Sequence, residues 1–187
     1  SLNGNTITIN NLSNNYAARG IYFSSSEYST LNNNTITITN YPSEFIGILN
    51  WDANSNAIVN GNTITSLLYD SVQCNWYDNN NSSHYPYYVY GIRLYDAKEI
   101  KSNTILTEQR SYGSAICVEQ YDWNNIDLTI ENNHIESFHQ RDYTSQGAIY
   151  YSANSSYSGD VLIKNNTIEL YGGGQPGITA YYNTDII

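Results

Sequence analysis

Asn34-Thr35-Ile36-Thr37-Ile38 is the clearest copy of a short motif that recurs along this chain. An asparagine followed by threonine or histidine and then isoleucine occurs six times in the 187 residues. The copies are Asn5-Thr6-Ile7, Asn34-Thr35-Ile36, Asn62-Thr63-Ile64, Asn103-Thr104-Ile105, Asn133-His134-Ile135 and Asn166-Thr167-Ile168. Successive asparagines are 29, 28, 41, 30 and 33 residues apart. This near-constant spacing indicates one supersecondary unit stacked on itself.

Each copy is followed by a second mark, a small residue and then isoleucine. These pairs are Gly20-Ile21, Gly47-Ile48, Gly91-Ile92, Ala115-Ile116, Ala148-Ile149 and Gly177-Ile178. A third apolar run, such as Leu128-Thr129-Ile130, precedes the asparagine. All three runs are short, alternate with period two and end at Asn, Gly or Ser, which is typical of strands. The sequence therefore predicts an all-β protein, a single-stranded parallel β-helix of about six rungs with three strands per rung.

Side-chain alternation predicts which residues face the core. In the stretch from Thr35 to Thr39 the isoleucines point inward and the threonines outward. The isoleucines of the six motifs then form one inward column, and those of the second mark form another. We predict two roles for the motif asparagines. They adopt the left-handed conformation at a sharp turn, and their amides hydrogen-bond to each other along the axis.

Composition restricts the class of partner. The net charge is −10, from 17 acidic and 7 basic residues, which argues against nucleic acids and anionic membrane surfaces. No run of about eighteen apolar residues occurs, so we expect no membrane insertion. Few lysines, many Tyr, Asn, Ser and Thr residues and no Met favour an extracellular or cell-surface location. The three histidines form no metal-ligand set, and we expect no cofactor.

The repeat covers residues 1–187 as a single predicted domain with one insertion, residues 70–88. Neither end carries an obvious cap. We therefore expect a fragment of a longer chain or a unit that associates end to end. Within the insertion, Trp76 is predicted to wall a groove over the adjacent sheet, the alternative being a plain surface loop. Cys74 and Cys117 either pair and fix this insertion or remain separate thiols.

The repeated motif resembles the parallel β-helix repeat shared by pectate-lyase-like proteins, sugar-hydrolase and carbohydrate-binding domains, and surface adhesins. The chain most resembles adhesin-like surface proteins of methanogenic archaea or bacteria in its low charge, its abundance of Asn, Tyr and Thr, and its missing caps. The resemblance implies right-handed coiling, which agrees with the handedness rule for parallel crossovers. It implies no particular activity, because the same scaffold carries enzymes and inert adhesins.

The outward residues of the strands that carry the second mark are the first candidate site. By alternation they are Tyr22, Leu49, Trp51, Arg93, Tyr95, Cys117, Glu119, Tyr150, Ser152, Thr179 and Tyr181. Flat aromatic rings stack on sugar rings, and their polar groups hydrogen-bond at the edge. The alternative is that tyrosine simply suits an exposed pleated surface. The predicted ligand-binding residues are Tyr22, Trp51, Arg93, Tyr95, Tyr150 and Trp76.

Two sets of charged residues are candidates for catalysis. Asp52 and Asp96 lie five residues after Gly47 and Gly91, and stacked carboxylates can share a proton or divide acid and base roles. They could equally hold a calcium ion with neighbouring carbonyl groups. Arg110 and Arg141 are candidates for neutralising a uronate. Turn aspartates more often hydrogen-bond locally, and loop charges are more often solvated. We assign no catalytic residue, and a non-enzymatic protein is favoured over an enzyme.

The sequence thus predicts a cell-surface structural or adhesive module that presents an aromatic face to glycans or to cell-surface proteins. One alternative is a β-helix polysaccharide lyase or hydrolase. The other is a filament or sheath subunit that stacks through its ends.

Overall fold

The regular structure of the chain consists of short strands that repeat in groups of three. The computed structural model describes residues 1–10, 18–24, 28–39, 44–51, 56–67, 88–109, 113–120, 126–139, 146–154, 159–172 and 175–181. Within these ranges the strands, in chain order, are β1 (Leu2–Asn3), β2 (Thr6–Asn10), β3 (Ala18–Phe23), β4 (Thr30–Asn32), β5 (Thr35–Thr39), β6 (Glu44–Asn50), β7 (Ala57–Asn60), β8 (Thr63–Leu67), β9 (Tyr88–Tyr95), β10 (Ala97–Lys101), β11 (Thr104–Gln109), β12 (Gly113–Gln120), β13 (Leu128–Glu131), β14 (His134–His139), β15 (Ile149–Ala153), β16 (Val161–Lys164), β17 (Thr167–Gly172) and β18 (Ile178–Tyr181).

Every third strand belongs to the same parallel sheet. Sheet 1 contains β1, β4, β7, β10, β13 and β16, and each of these strands precedes a motif asparagine. Sheet 2 contains the motif strands β2, β5, β8, β11, β14 and β17. Sheet 3 contains β3, β6, β9, β12, β15 and β18, which carry the second mark. The predicted fold is confirmed, since three strands make one rung and six rungs stack into a parallel β-helix.

The register aligns the motif isoleucines into one column in the core. Ile36 pairs with Ile7 on one side and with Ile64 on the other, and Ile105 continues the column. The second-mark isoleucines form the matching column in sheet 3, where Ile48 pairs with Ile21 and Ile92. Most of these side chains are fully buried. Each fully buried isoleucine contributes roughly 1.5–3 kcal/mol, so the two columns supply a large apolar contribution to the core.

The small residue of the second mark is explained by its distance from the motif isoleucine. A Cβ atom added to Gly47 would lie 2.5 Å from Cγ2 of Ile64 and 2.5 Å from the carbonyl oxygen of Gly91. Contacts this short require the neighbours to move, so glycine is favoured. Rungs four and five accommodate a methyl group, because Ala115 and Ala148 occupy the same position and are fully buried. The two marks therefore pack against each other across the core.

The motif asparagines form a continuous ladder of hydrogen bonds along the axis, as predicted. The main-chain N–H of Asn62 and its Nδ2 both donate to Oδ1 of Asn103, at 2.9 and 3.0 Å. Asn103 donates in the same way to Asn133, and Asn34 donates to Asn62. A further bond runs from Asn62 Nδ2 to the carbonyl oxygen of Leu31 at 2.9 Å. The interior asparagines are at most 1% exposed, so their amides are satisfied by the neighbouring rungs and not by water.

The prediction that these asparagines adopt the left-handed conformation is wrong. Positive φ angles fall on the residue before each of them, namely Gly4, Asn33, Gly61, Ser102, Asn132 and Asn165, with φ between 54° and 68°. That residue and the asparagine form the two-residue turn from sheet 1 to sheet 2. The residue with positive φ makes the turn between the two sheets, and the asparagine side chain that follows it points along the axis. Gly and Asn tolerate this conformation best, and they supply five of the six positions.

Replacing Asn103 with alanine is expected to lower the free energy of unfolding by roughly 3 kcal/mol, because two buried donors of Asn62 lose their acceptor. Urea denaturation followed by circular dichroism measures the change. Asn5→Ala is the matched control, since Asn5 is exposed on the first rung and its Oδ1 accepts no bond from a preceding described rung. We expect Asn5→Ala to lower the free energy of unfolding by less than about 1 kcal/mol. An equal loss of unfolding free energy in the two variants would contradict a stabilising role for the asparagine ladder.

Candidate functional site

The outer face of sheet 3 places the predicted binding residues in two columns. In the first column, Leu49 pairs with Tyr22 and Arg93, and Cys117 and Tyr150 follow. The second column contains Tyr95, Glu119, Ser152 and Tyr181. Trp51 follows β6 directly and stacks on Tyr95. We call Tyr22, Trp51, Arg93, Tyr95, Glu119, Tyr150 and Tyr181 the aromatic strip.

Part of this outer face is buried. Ile46, Leu49, Tyr90 and Cys117 form a second apolar cluster outside the main core, with each at most 1% exposed. Tyr150 packs against this cluster. Leu49 and Cys117 are therefore outward, as alternation predicts, but they are not available to a ligand. Other members of the face are exposed, since Tyr22 is 54%, Trp51 40% and Tyr181 43% exposed.

Arg93 lies at the centre of the aromatic strip and contacts three rings. Its guanidinium carbon is 4.7 Å from the ring centroid of Trp51, 4.8 Å from that of Tyr90 and 5.8 Å from that of Tyr95. The rings of Trp51 and Tyr95 stack at 5.0 Å with an interplanar angle of 26°. Cation–π contacts of this kind are worth about 0.5–2 kcal/mol each, depending on how far the cation is desolvated. The cluster therefore fixes the orientation of the two outer rings.

Glu119 neutralises the Arg93 guanidinium. Nη2 of Arg93 lies 3.3 Å from Oε2 of Glu119 and 3.3 Å from the hydroxyl oxygen of Tyr95. The side chains of Arg93 and Glu119 are only 14% and 18% exposed, so water screens this ion pair less than it screens a surface pair. Arg93 Nε is buried without a hydrogen-bond partner. Burial raises the pKa of Tyr90, so its ring faces Arg93 as a neutral phenol at physiological pH.

The structure brings together three of the six predicted binding residues, Trp51, Arg93 and Tyr95. Tyr150 lies two rungs further along, with its ring 5.8 Å from that of Tyr181 at an angle of 53°. Tyr22 is on the first rung and is 54% exposed. Trp76 lies outside the described residues, as does the groove that it was predicted to wall.

Tyr90 contacts Arg93 but was missed in the sequence. Simple alternation back from Ile92 gives Tyr90 an inward orientation. It points outward because Gly91 and Ile92 both face the core, where a Cβ atom on Gly91 would lie 2.5 Å from Cγ2 of Ile105. A signal for this orientation was available in the repeat, because Tyr90 and Ile46 both directly precede the glycine of the second mark and are therefore equivalent positions.

The catalytic candidates are not brought together in the described part of the chain. Asp96 is fully buried with a φ of 56°, and its main-chain N–H donates to the carbonyl oxygen of Glu119, as expected for a turn residue. Asp52, Arg110, Arg141 and Cys74 lie outside the described residues. Cys117 is a free, buried thiol. Among the residues that the structure describes, no group of three or more His, Cys, Asp or Glu side chains is arranged to hold a metal ion.

Most of the charged side chains described on sheet 1 form a separate network of ion pairs. Lys101 Nζ lies 2.9 Å from a carboxylate oxygen of Glu99 and 3.4 Å from one of Glu131, and Lys164 Nζ lies 3.1 Å from Glu131. The hydrogen bond from Lys164, reinforced by Lys101, lowers the pKa of the Glu131 carboxyl. These two lysines therefore tie neighbouring rungs together on a face away from the aromatic strip.

Comparisons with protein families, curated proteins and solved structures found no match to this chain. Within the described ranges, no helix is long and apolar enough to cross a membrane. The fold is established by its sheets and register, and the candidate site is defined by the geometry of the aromatic strip alone.

Burial of the outer face can be measured through the thiol of Cys117. In a Cys74→Ala variant, this thiol is expected to react with a disulfide reagent roughly two orders of magnitude more slowly in the native protein than in urea. Two causes act together, since the side chain is 1% exposed and burial raises the pKa of its thiol. Equal rates in the two conditions would show that this part of sheet 3 is open.

Proposed function

We propose that this chain is an extracellular or cell-surface adhesive module whose aromatic strip binds glycans. The observation that carries the proposal is the stacked pair of Trp51 and Tyr95, held by Arg93 on a rigid parallel sheet. The resemblance of the repeat to surface adhesins makes this class of function one of those that the scaffold is known to carry.

Rigid, partly exposed aromatic side chains suit this function. Trp51 is 40% exposed and Tyr22 is 54% exposed, so ring surface remains for contact with a ligand. Sugar rings stack their apolar C–H surface on aromatic faces, while hydroxyls and charged groups at the edges fix the orientation. The contacts of Arg93 keep the two stacked rings in place before a ligand arrives, which reduces the entropy lost on binding.

The length of the strip suits a chain of sugars better than a single one. Adjacent rungs are about 4.8 Å apart, so the strip from Tyr22 on rung one to Tyr181 on rung six extends over roughly 24 Å. Several weak contacts along one polymer add up to useful affinity.

Trp51→Ala and Tyr95→Ala are expected to weaken glycan binding at least tenfold, which corresponds to about 1.4 kcal/mol, because each removes one half of the stacked pair. A glycan array, followed by calorimetry on the best ligand, measures the loss. Tyr28→Ala is the matched control, because Tyr28 is 77% exposed and lies between β3 and β4, off the strip.

Circular dichroism verifies that the two strip variants keep the β-helix. Binding that survives both substitutions, or that falls equally in Tyr28→Ala, would contradict the proposal. Absence of any glycan binding by the wild-type chain would also contradict it.

A further inference from the structure

We infer that the aromatic strip selects neutral glycans and rejects acidic ones, because its central cation is already paired with Glu119. This inference rests on the proposed function and specifies the ligand class of the same site. It concerns the charge that a bound sugar carries, and not which sugar it is.

Both arginines described on the outer face of sheet 3 have an acidic partner. Arg93 pairs with Glu119 and Arg19 with Glu44, each with an N–O distance of 3.3 Å. The lysines within the described ranges lie on sheet 1, on β10 and β16. The described part of this face therefore offers no uncompensated cation to a ligand carboxylate.

A uronate on the strip would compete with Glu119 for Arg93. The Glu119 carboxylate is 18% exposed and lies in the same column as Tyr95, so an acidic sugar stacked on Tyr95 would place two carboxylates side by side. Breaking the pair would leave a mostly buried carboxylate without its cation, which is unfavourable. The net charge of −10 adds a longer-range repulsion that salt screens.

A neutral sugar meets no such conflict. Its hydroxyls donate to the Glu119 carboxylate while Oε2 keeps its contact with Arg93. Hydrogen bonds to a charged acceptor are stronger than those between neutral groups, so this contact favours the hydroxyl-rich ligand. The ion pair thus supplies both attraction for neutral sugars and repulsion of acidic ones, the two components of specificity.

The test uses glycans that differ only in charge. Oligomers of glucose, galactose and mannose are immobilised in neutral form and after oxidation of C6 to the carboxylate, and wild-type binding is compared within each pair. The neutral member is expected to bind at least tenfold more tightly. Added salt is expected to narrow the difference by strengthening binding of the oxidised member, because the repulsion is electrostatic.

Glu119→Gln removes the competing charge and frees Arg93. The ratio of neutral to oxidised affinity is expected to shift at least tenfold towards the oxidised glycans. Glu44→Gln is the matched control, because it frees Arg19 on the same face but outside the strip, and it is expected to leave the ratio unchanged. Wild-type salt dependence tests for electrostatic repulsion of the oxidised glycans independently of how the variant folds, and the comparison with Glu44→Gln assigns that repulsion to Glu119.

The outcomes separate the two proposals. Tighter wild-type binding of oxidised glycans, or an unchanged ratio in folded Glu119→Gln, overturns the neutral preference while Trp51-dependent binding still supports a glycan module. Loss of Trp51 dependence for both members of every pair overturns the proposed function, and the inference falls with it.

Discussion

The buried asparagine ladder determines how the rungs of this β-helix stack. Each interior asparagine must find partners for an amide that is almost completely removed from water, and the neighbouring rungs supply them at 2.8–3.0 Å. A rung displaced by one residue would bury these donors and acceptors unsatisfied, at roughly 1–3 kcal/mol for each group. The ladder therefore fixes the register of sheet 2, and the turn before it fixes where sheet 1 ends.

A fixed register determines both surfaces of the sheets at once. On the inside it aligns the isoleucines and leaves room only for Gly or Ala before Ile in sheet 3. On the outside it places residues from different rungs about 4.8 Å apart, so Trp51 meets Tyr95 and Arg93 meets Glu119 although 44 and 26 positions separate them in the chain. The candidate site is therefore a consequence of the same register that packs the core.

The fold was predictable because the repeat presents the same signal six times. The Ile columns and the outward orientation of Trp51, Arg93 and Tyr95 followed from alternation, and the amide ladder followed from the recurrence of Asn on successive rungs. The left-handed turn position was missed because Gly, Asn and Ser share it, whereas the more regular asparagine beside it attracted the assignment. Tyr90 was missed because Gly91 and Ile92 both face inward. Burial of Leu49 and Cys117 was not predictable, since alternation gives the orientation of a side chain but not what covers it.

Contacts between isoleucine methyl groups in an otherwise deuterated sample report the stacked register. We expect nuclear Overhauser effects that connect Ile36 to Ile64, Ile64 to Ile105 and Ile105 to Ile135 in the core beneath sheet 2. We expect none of comparable strength between Ile36 and Ile105, which are two rungs or about 9.6 Å apart. A network in which these methyl groups skip rungs, or in which adjacent motif isoleucines show no contact, would contradict the stacked register and the site built on it.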